Sequence, residues 1–145
     1  MFTQILVPTD GSPLAANAIG PAIALAKAMS ARLTGVTVST PYRVITANSV
    51  SISDTEEQYA RDCNRRAERD LAPIKEAAQA AGIPFSAVHE FNDRVYESII
   101  AVAARTGCDL IVMASHGRKG ASAVLLGSKT TKVLTHSKIP VLVVR

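Results

Sequence analysis

The sequence predicts an α/β domain in which five parallel strands form an open sheet with helices on both faces. Short apolar segments alternate along the chain with segments of helical period, the order expected of strands joined by right-handed helical crossovers. Three of the apolar segments, residues 5–7, 110–113 and 141–144, are hydrophobic without interruption. Continuous hydrophobicity is typical of parallel strands that are buried on both faces.

The bulk composition suits a folded domain and excludes several classes of function. A length of 145 residues suits one domain, residues 1–145, and 48% hydrophobic with 19% charged residues suits a packed core. The net charge of +4 favours anionic ligands, but 4% aromatic residues and no Trp argue against nucleic-acid binding. Because no apolar run approaches the roughly 18 residues of a membrane span and no signal peptide is visible, we expect a cytoplasmic protein away from membranes. Cys63 and Cys108 form no CxxC pair, so neither a metal nor a redox site is expected.

The first strand and the segment after it carry clear local signals. The strand ends at Pro8, and Ser12 is suited to cap the next helix, with Pro13 at its first position. The helical pattern is interrupted by Pro21, which lacks the N–H that a helix interior needs. We therefore expect a kink near Ile19.

The middle of the chain contributes two strands and two helices. Residues 32–39 and 85–91 predict the second and third strands, and a helix is expected from 95 to 106. Between the second and third strands, residues 40–53 show no clear period. They are long for a loop in a compact domain, and both a mobile lid and simple disorder remain open.

A long helix is predicted over residues 54–81 because apolar residues recur there at helical spacing. Ser53 and Glu56 have the spacing of a capping box at its start. Pro73 lies inside the pattern, so a bend or a break is expected there.

The segment after the fourth strand is the strongest functional signal. The strand, residues 109–113, leads into a glycine-containing loop that ends at Gly127-Ser128, where a helix of residues 129–137 begins. Backbone N–H groups of such a loop and of the first helical turn converge on one point, which suits a phosphate. Neither GxxxxGK[ST] nor GxGxxG occurs, so neither a P-loop NTPase nor a dinucleotide-binding fold is supported.

The loop after Pro8 and the loop over residues 114–128 both leave carboxyl ends of predicted strands. Ligands of open α/β sheets bind outside these ends, at the point where the strand order reverses. The two loops would therefore share one crevice if the first and fourth strands are neighbours.

Four pieces of the chain resemble the universal stress protein family: ILVPTDGS, CDLIVMASHG, LLGSKTTKVL and IPVLVVR. Together, in this order and spacing, they cover essentially the whole chain. The resemblance implies the strand order 3-2-1-4-5, a fold like that of the adenine nucleotide alpha hydrolases, and a homodimer through the last strand, Ile139 to Val144. That strand would otherwise leave an exposed apolar sheet edge, which proteins avoid. The implied function is a nucleotide-dependent stress-response switch or sensor that binds ATP.

ATP-binding members of this family carry the pattern G-x2-G-x9-G-[ST]. The matching positions here are Ala114, Gly117, Gly127 and Ser128, so alanine stands where the pattern has its first glycine. A methyl group there would crowd the ribose or a phosphate, and alanine resists a positive φ where glycine does not. The alternative function, a dimeric interaction protein of the same fold that binds no nucleotide, rests on this departure.

The resemblance also assigns individual contacts with the nucleotide. Asp10 would bind the ribose or the adenine edge, Gly127 would let the backbone approach the phosphates, and Ser128 would act as the helix N-cap. The full implied set is Pro8, Thr9, Asp10, Val38, Met113, Ala114, Gly117, Gly127, Ser128, Lys129 and Thr130. Mg²⁺ or Mn²⁺ would be bound through the phosphates, because no dedicated carboxylate cluster is visible.

Several of these residues have an equally plain structural explanation. Asp10 would cap the first helix as readily as it would bind a ligand, Gly117 suits an ordinary turn, and Ser128 caps a helix with or without a nucleotide. No nucleophile or orienting acid is identifiable beside His116 in the sequence. No catalytic residue is therefore predicted, and slow ATP hydrolysis is the most that we expect of the protein as an enzyme.

Overall fold

The computed structural model describes residues 1–43, 55–116 and 125–145. These residues form five strands and five helices. In chain order they are β1 (Gln4–Pro8), α1 (Pro13–Ala16), α2 (Ile19–Met29), β2 (Arg32–Ser39), α3 (Glu56–Ala80), β3 (Phe85–Phe91), α4 (Val95–Arg105), β4 (Leu110–Ala114), α5 (Ser128–His136) and β5 (Val141–Val144). In this part of the chain no helix is both long and apolar enough to cross a bilayer.

The strands form one parallel sheet in the order β3-β2-β1-β4-β5. Ile5 in β1 is paired with Leu33 of β2 on one side and with Leu110 of β4 on the other. The predicted fold class and strand order are therefore confirmed. Because β1 and β4 are neighbours and the order reverses between them, the two loops singled out in the sequence leave the same edge of the sheet.

The core lies on both faces of the sheet. Ile5, Leu6 and Val7 of β1 are all 0% exposed, because their side chains alternate between two buried faces. One face packs against α2 and α3 through Ile5, Val7, Ala22, Ala26, Leu71, Ile74 and Ala78. The other packs against α4 and α5 through Leu6, Ile111, Ile99, Val102 and Val133.

The kink expected near Ile19 is a complete break between α1 and α2. Ser12 caps α1 as predicted, since its Oγ accepts a hydrogen bond from the Ala15 N–H at 3.1 Å. Pro21 is the third residue of α2. In that first turn its missing N–H removes no intrahelical hydrogen bond, so the proline is tolerated there.

The start of α3 differs from its prediction, and Pro73 does not break the helix. Ser53 lies outside the described residues, as does most of the loop predicted over 40–53. The residue that caps α3 is Thr55, whose Oγ1 accepts a hydrogen bond from the Gln58 N–H at 3.1 Å, so the cap predicted at Ser53 is wrong. The helix runs on through Pro73 for 25 residues and buries the apolar side chains Cys63, Ala67, Leu71, Ile74 and Ala78. Burial of this face against the sheet outweighs the hydrogen bond that the proline cannot make.

The last strand begins at Val141, two residues later than predicted. The Ile139 N–H is occupied by Ser137 Oγ at 3.0 Å in a local turn, and Pro140 has no N–H to offer to a sheet. The Pro140 carbonyl still accepts the Ile111 N–H at 3.0 Å, which brings the strand into register with β4.

Candidate functional site

The turn after β1 is shaped by a glycine in a left-handed conformation. The Thr9 N–H donates to the Val36 carbonyl at 2.9 Å, which extends the pairing of β1 with β2 by one residue. Gly11 then adopts φ +77°, and a Cβ atom added to it would lie 2.3 Å from Oδ1 of Asp70. The backbone conformation therefore favours glycine, and a larger residue would also have to displace the carboxylate end of the Asp70 side chain.

Asp10 lies at the tip of this turn and does not cap α1. Its Oδ1 accepts the Ser12 N–H at 3.0 Å, and Ser12 itself provides the cap. An aspartate that binds the N–H two residues later closes an Asx turn. This turn fixes the Asp10 carboxylate at the edge of the sheet, where it lines two adjoining cavities.

The first cavity is small and mainly apolar, with a volume of about 80 Å³, and it lies over the carboxyl ends of β1, β2 and β4. Side chains of the sheet and of α4 form its walls, and the start of α5 closes one side. Its lining residues are Pro8, Thr9, Asp10, Ala15, Val36, Val38, Val95, Ile99, Met113, Ala114, His116, Lys129 and Thr130. Most of the residues predicted to bind a nucleotide are therefore brought together here. Gly127 and Ser128 are not among the lining residues, and Gly117 lies outside the described residues.

Ala114 is an ordinary strand residue, paired in register with Val144 of β5. Among the described residues the only non-glycine with a positive φ is Ser30, so the concern that alanine would resist such a conformation at Ala114 does not apply. Successive side chains of a strand point to opposite faces. Met113 and Ala114 belong to core clusters on opposite faces of the sheet, so the Ala114 methyl packs on the face opposite Met113, while Ala114 at the end of the strand still borders the cavity.

Gly127 holds the start of α5 against the end of β4. Its N–H donates to the Ser115 carbonyl at 2.7 Å, and a Cβ atom added to it would lie 3.0 Å from the same oxygen. The missing side chain therefore permits a close approach to the backbone of β4, at an ordinary φ of −59°. Since this N–H is already bonded within the protein, the donors at this edge come from the residues that follow.

The helix α5 begins one residue earlier than predicted. Gly127 occupies the cap position with an extended ψ of 150°, and Ser128 is the first helical residue, so the prediction of Ser128 as the N-cap is wrong. The first intrahelical bond runs from the Thr131 N–H to the Gly127 carbonyl at 3.0 Å. The N–H groups of the three preceding residues, Ser128 to Thr130, point out of the helix start, where the helix dipole is positive.

The side chain of Thr130 forms part of the wall of the apolar cavity and does not add a hydrogen-bond donor to the N–H groups at the start of α5. Its Oγ1 donates to the Ala114 carbonyl at 3.0 Å in a buried hydrogen bond. This bond ties the first turn of α5 to the end of β4 and so fixes the direction in which the helix start points. Lys129, which precedes it, lines both cavities and adds a positive charge at the same place.

The sequence predicts no catalytic role for His116. In the structure His116 lines the apolar cavity. Its Nδ1 lies 3.1 Å from Ser115 Oγ, whereas its buried Nε2 has no hydrogen-bond partner within the described residues. A buried polar atom without a partner costs about 1–3 kcal/mol. A ligand group in the cavity would recover that free energy.

Sequence reasoning also missed the apolar walls of this cavity. Val36 lies two residues before Val38, so the period of a strand would have placed both on one face. Val95 and Ile99 are four residues apart on α4 and hence neighbours on one helical face. Nothing in the local sequence indicates that this helical face meets the second strand, because the contact depends on how α4 crosses the sheet.

The second cavity is polar and larger, with a volume of about 270 Å³, and it extends from Asp10 and Lys129 towards α3. Its lining residues are Asp10, Thr37, Val38, Ser39, Thr40, Tyr59, Arg66, Ala67, Asp70, Asn92, Asp93, Val95 and Lys129. Arg66 is held in place by a 3.2 Å hydrogen bond from its Nη2 to Cys63 Sγ, which raises the pKa of the guanidinium. The Tyr59 hydroxyl donates to the Thr40 carbonyl at 2.5 Å, and burial raises its pKa.

Comparison with known proteins identifies the family. The model of the universal stress protein family matches residues 1–145. The chain belongs to this family. The universal stress protein YxiE of Bacillus subtilis is 31% identical over 149 residues, and the alignment covers all of both chains. A universal stress protein of Thermus aquaticus is 33% identical over 145 residues, again over all of both chains.

Solved structures of universal stress proteins share the fold. The structure of MJ0577 of Methanocaldococcus jannaschii superposes with a TM-score of 0.82 at 28% identity and covers 99% of this chain and 96% of that one. A universal stress protein in complex with cAMP has a TM-score of 0.70 at 23% identity, covering 99% and 97% of the two chains. A universal stress protein of Archaeoglobus fulgidus in complex with dAMP has a TM-score of 0.65 at 16% identity, covering 99% and 98%. These last two likenesses establish the fold alone.

Proposed function

We propose that this universal stress protein binds ATP at the carboxyl edge of its sheet and acts as a nucleotide-dependent switch or sensor in the stress response. One observation carries the proposal. The apolar cavity described above is a slot between β2, β4 and α4, and it leads directly to the first turn of α5. A planar base suits the slot, and an anion suits the helix start.

The slot suits adenine because its walls are apolar and its mouth is polar. Val38 and Met113 come from the sheet, and Ile99 faces them from α4. The Asp10 carboxylate, fixed by its bond to the Ser12 N–H, lies where it would accept hydrogen bonds from a ribose hydroxyl or from the adenine amino group. The buried Nε2 of His116 provides a further polar atom for the ligand to satisfy.

The phosphates would bind at the start of α5. The first-turn N–H groups of Ser128, Lys129 and Thr130 offer donors, and the Lys129 ammonium group adds charge. Within the described residues no group of three or more His, Cys, Asp or Glu side chains could hold a metal ion. Mg²⁺ or Mn²⁺ would accordingly be bound through phosphate oxygens and water, which is how Mg²⁺ commonly binds with nucleotides.

The ligands of two relatives of the same fold support the chemical class. cAMP and dAMP each combine adenine, a sugar and a phosphate, the three parts for which the slot, Asp10 and α5 are suited. The packing of Ala114 supports the proposal as well, because its methyl group belongs to the cluster on the face of β4 opposite Met113.

Titration calorimetry of the ligand-free protein with ATP tests this proposal directly. We expect binding in the micromolar range for the wild-type chain, and at least tenfold weaker binding for Asp10→Ala, which corresponds to about 1.4 kcal/mol. Asp62→Ala is the matched control, because it removes an exposed carboxylate that pairs with Arg65 on α3. Absence of heat at high micromolar ATP would overturn the proposal.

The alternative is a dimeric interaction protein of this fold that binds no nucleotide. Ala114→Gly separates the two functions: our proposal expects less than about a threefold change in affinity, since it removes one methyl that packs on the face of β4 opposite Met113. If ATP binds only to the glycine variant, the alternative is correct.

A homodimer through the last strand is the second part of the proposal. β5 pairs with β4 alone within the described sheet, so its other edge is open. Leu142 on β5 and Leu134 on α5 are both 40% exposed at this edge. Pairing with a second copy would cover the edge and the two leucines.

Light scattering at moderate protein concentration tests the homodimer. We expect a dimer for the wild-type chain and a monomer for Leu142→Arg. Leu14→Arg serves as the control, because Leu14 is 43% exposed on α1, away from β5. A monomeric wild-type protein would contradict this part of the proposal and leave nucleotide binding untouched.

A further inference from the structure

We propose that Ser39, His89 and Asn64 form a nucleophilic site that hydrolyses small esters in the polar cavity. Ser39 is the last residue of β2, His89 lies on β3, and Asn64 lies on α3. Ser39 Oγ is 2.7 Å from His89 Nε2, and His89 Nδ1 is 2.9 Å from Asn64 Oδ1. This is the order of nucleophile, base and orienting group that activates a serine. None of these three residues belongs to the proposed nucleotide site, although the two cavities share Asp10 and Lys129.

The hydrogen bonds define which atom of the imidazole carries the proton. The amide oxygen of Asn64 is an acceptor, so Nδ1 carries the hydrogen and donates it. The lone pair of Nε2 then accepts the Ser39 hydroxyl hydrogen. Asn64 is therefore a positioning residue that holds the tautomer in which His89 acts as a base.

The surroundings of His89 favour its neutral, basic form. Burial lowers the pKa of the imidazole below its ordinary value of 6.5, and the neighbouring Glu90 offsets this only in part. At neutral pH the ring is thus mainly unprotonated. The Phe91 ring packs against it with 4.6 Å between ring centroids, which limits its rotation.

The nucleophile is open to a cavity of suitable size. Ser39 lines the polar cavity of about 270 Å³, together with Arg66 and Lys129. Arg66 is anchored through Cys63, and its guanidinium would stabilise the negative charge that develops on a carbonyl oxygen during attack. A small polar ester fits this combination of volume, cation and nucleophile.

The chemical steps balance without a further co-reactant. Ser39 Oγ attacks the ester carbonyl carbon while its proton passes to His89 Nε2. The bond from that carbon to the alcohol oxygen breaks, and the alcohol leaves with the proton from Nε2. Water then attacks the acyl group on Ser39 and gives a proton to Nε2. When the carboxylic acid departs, that proton returns to Ser39, so one ester and one water yield one acid and one alcohol.

The competing explanation is a structural clasp that ties β2, β3 and α3 together. A clasp predicts that the Ser39 hydroxyl has ordinary reactivity and that loss of His89 affects stability alone. An activated serine predicts covalent reaction with a fluorophosphonate, which traps serines that are paired with a base. The two explanations therefore differ in a measurable property of the wild-type chain.

The experiment treats the full-length protein with a fluorophosphonate probe and locates the adduct by peptide mass spectrometry. We expect an adduct on Ser39 and turnover of p-nitrophenyl acetate, both reduced at least 100-fold in Ser39→Ala and in His89→Gln. Ser86→Ala on β3 is the matched control and should retain both. Circular dichroism establishes that each variant is folded.

An absence of any adduct on Ser39 in the wild-type protein overturns the inference without recourse to a variant. So does labelling of Ser39 that is unchanged in folded His89→Gln, because the serine then reacts without its base. Asn64→Ala gives a further readout: we expect slower labelling, and restoration of the rate in Asn64→Asp, which keeps the acceptor oxygen.

Discussion

The two ends of the central strands use their polar groups in opposite ways. At the amino edge, Asp109 accepts the N–H groups of Thr3 and Gln4 and the Thr3 hydroxyl, at 2.9–3.1 Å. At the carboxyl edge, Asp10 accepts the Ser12 N–H and lines two cavities. His116 Nε2, at the same edge, has no partner within the described part of the chain.

On our proposal, this difference separates polar groups that hold the fold together from polar groups that would bind a ligand. The carboxylate at the amino edge is engaged through both oxygens and closes the start of β1 against β4. At the carboxyl edge a turn follows β1 and α5 begins beside the end of β4, and Asp10 and Lys129 from these two segments line cavities. A buried group that is left unsatisfied costs free energy, so it persists where a ligand can use it.

The largest expected effect on stability comes from comparing two glycines, one at each edge, that share a left-handed backbone conformation. Gly11 at the carboxyl edge has φ +77° and Gly107 at the amino edge has φ +70°. A Cβ atom at Gly107 meets nothing within 4 Å, whereas one at Gly11 would lie 2.3 Å from Asp70 Oδ1. We expect Gly107→Ala to lower the free energy of unfolding by about 1 kcal/mol, from the left-handed backbone alone.

Gly11→Ala should cost about 2 kcal/mol, because the Asp70 carboxylate must also rotate away from the added methyl and from its hydrogen bonds with Arg69. Urea unfolding at 25 °C measures both variants, and the difference between them isolates the contact with Asp70. Equal losses in the two variants would show that the close packing between the turn and α3 carries no free energy.

The second prediction concerns Asp109 and its pH dependence. Burial raises the pKa of Asp109, but hydrogen bonds from Gln4 and Thr3 outweigh it and hold the pKa below its ordinary value of 3.8. Because the folded pKa is the lower one, the carboxylate stabilises the fold above the unfolded pKa, and this contribution is lost as the pH falls through the folded pKa.

Asp109→Asn turns one acceptor oxygen into an NH₂ group that faces N–H donors. We expect it to lower the free energy of unfolding at pH 7 by about 2 kcal/mol. Urea titrations at pH 7 and near pH 3 measure the free energy of unfolding of both proteins. The difference between wild type and variant should be smaller at the acidic pH. ATP affinity should stay unchanged, and a parallel loss of affinity would contradict the division between the two edges.

The smallest expected effect on stability is at His116. Replacing it with Phe removes the unpaired Nε2 and keeps an aromatic ring, so we expect the free energy of unfolding to stay the same or to rise by at most about 1 kcal/mol. ATP affinity should fall in calorimetry if Nε2 serves the ligand. His136→Phe is the control, since its Nδ1 contacts the Lys132 carbonyl on exposed α5, at 2.8 Å. A large loss of stability in His116→Phe alone would mean that Nε2 has a structural role.

Local sequence signals predicted the helices and strands well where the bounds of an element depend on residues close to them in the chain. The bounds of β2 and β3 agree with their predictions, and Ser12 caps α1 as its spacing indicates. The caps of α3 and α5 were predicted wrongly because several polar residues compete at each start. Thr55 caps α3, and Gly127 precedes α5, where its lack of a side chain permits a close approach to the Ser115 carbonyl.

The candidate site was predicted in part, through residues that follow strands. Asp10, Val38 and Lys129 are found at one cavity because the carboxyl ends of parallel strands meet at one edge. The direction of the Ala114 methyl group could not be predicted from its identity, because it depends on the alternation of β4 between two buried faces.

The sequence by itself determined the parallel sheet, the family and the edge at which a ligand would bind. Hydrophobic runs, turn residues and the spacing of Gly127 and Ser128 are local properties of the chain. Tertiary structure alone decided that Ser39, His89 and Asn64 form one chain of hydrogen bonds, and that Asp70 packs against Gly11. These contacts join residues on different elements, and their distances follow from the register of β2 with β3 and from how α3 crosses the sheet, which no local pattern records.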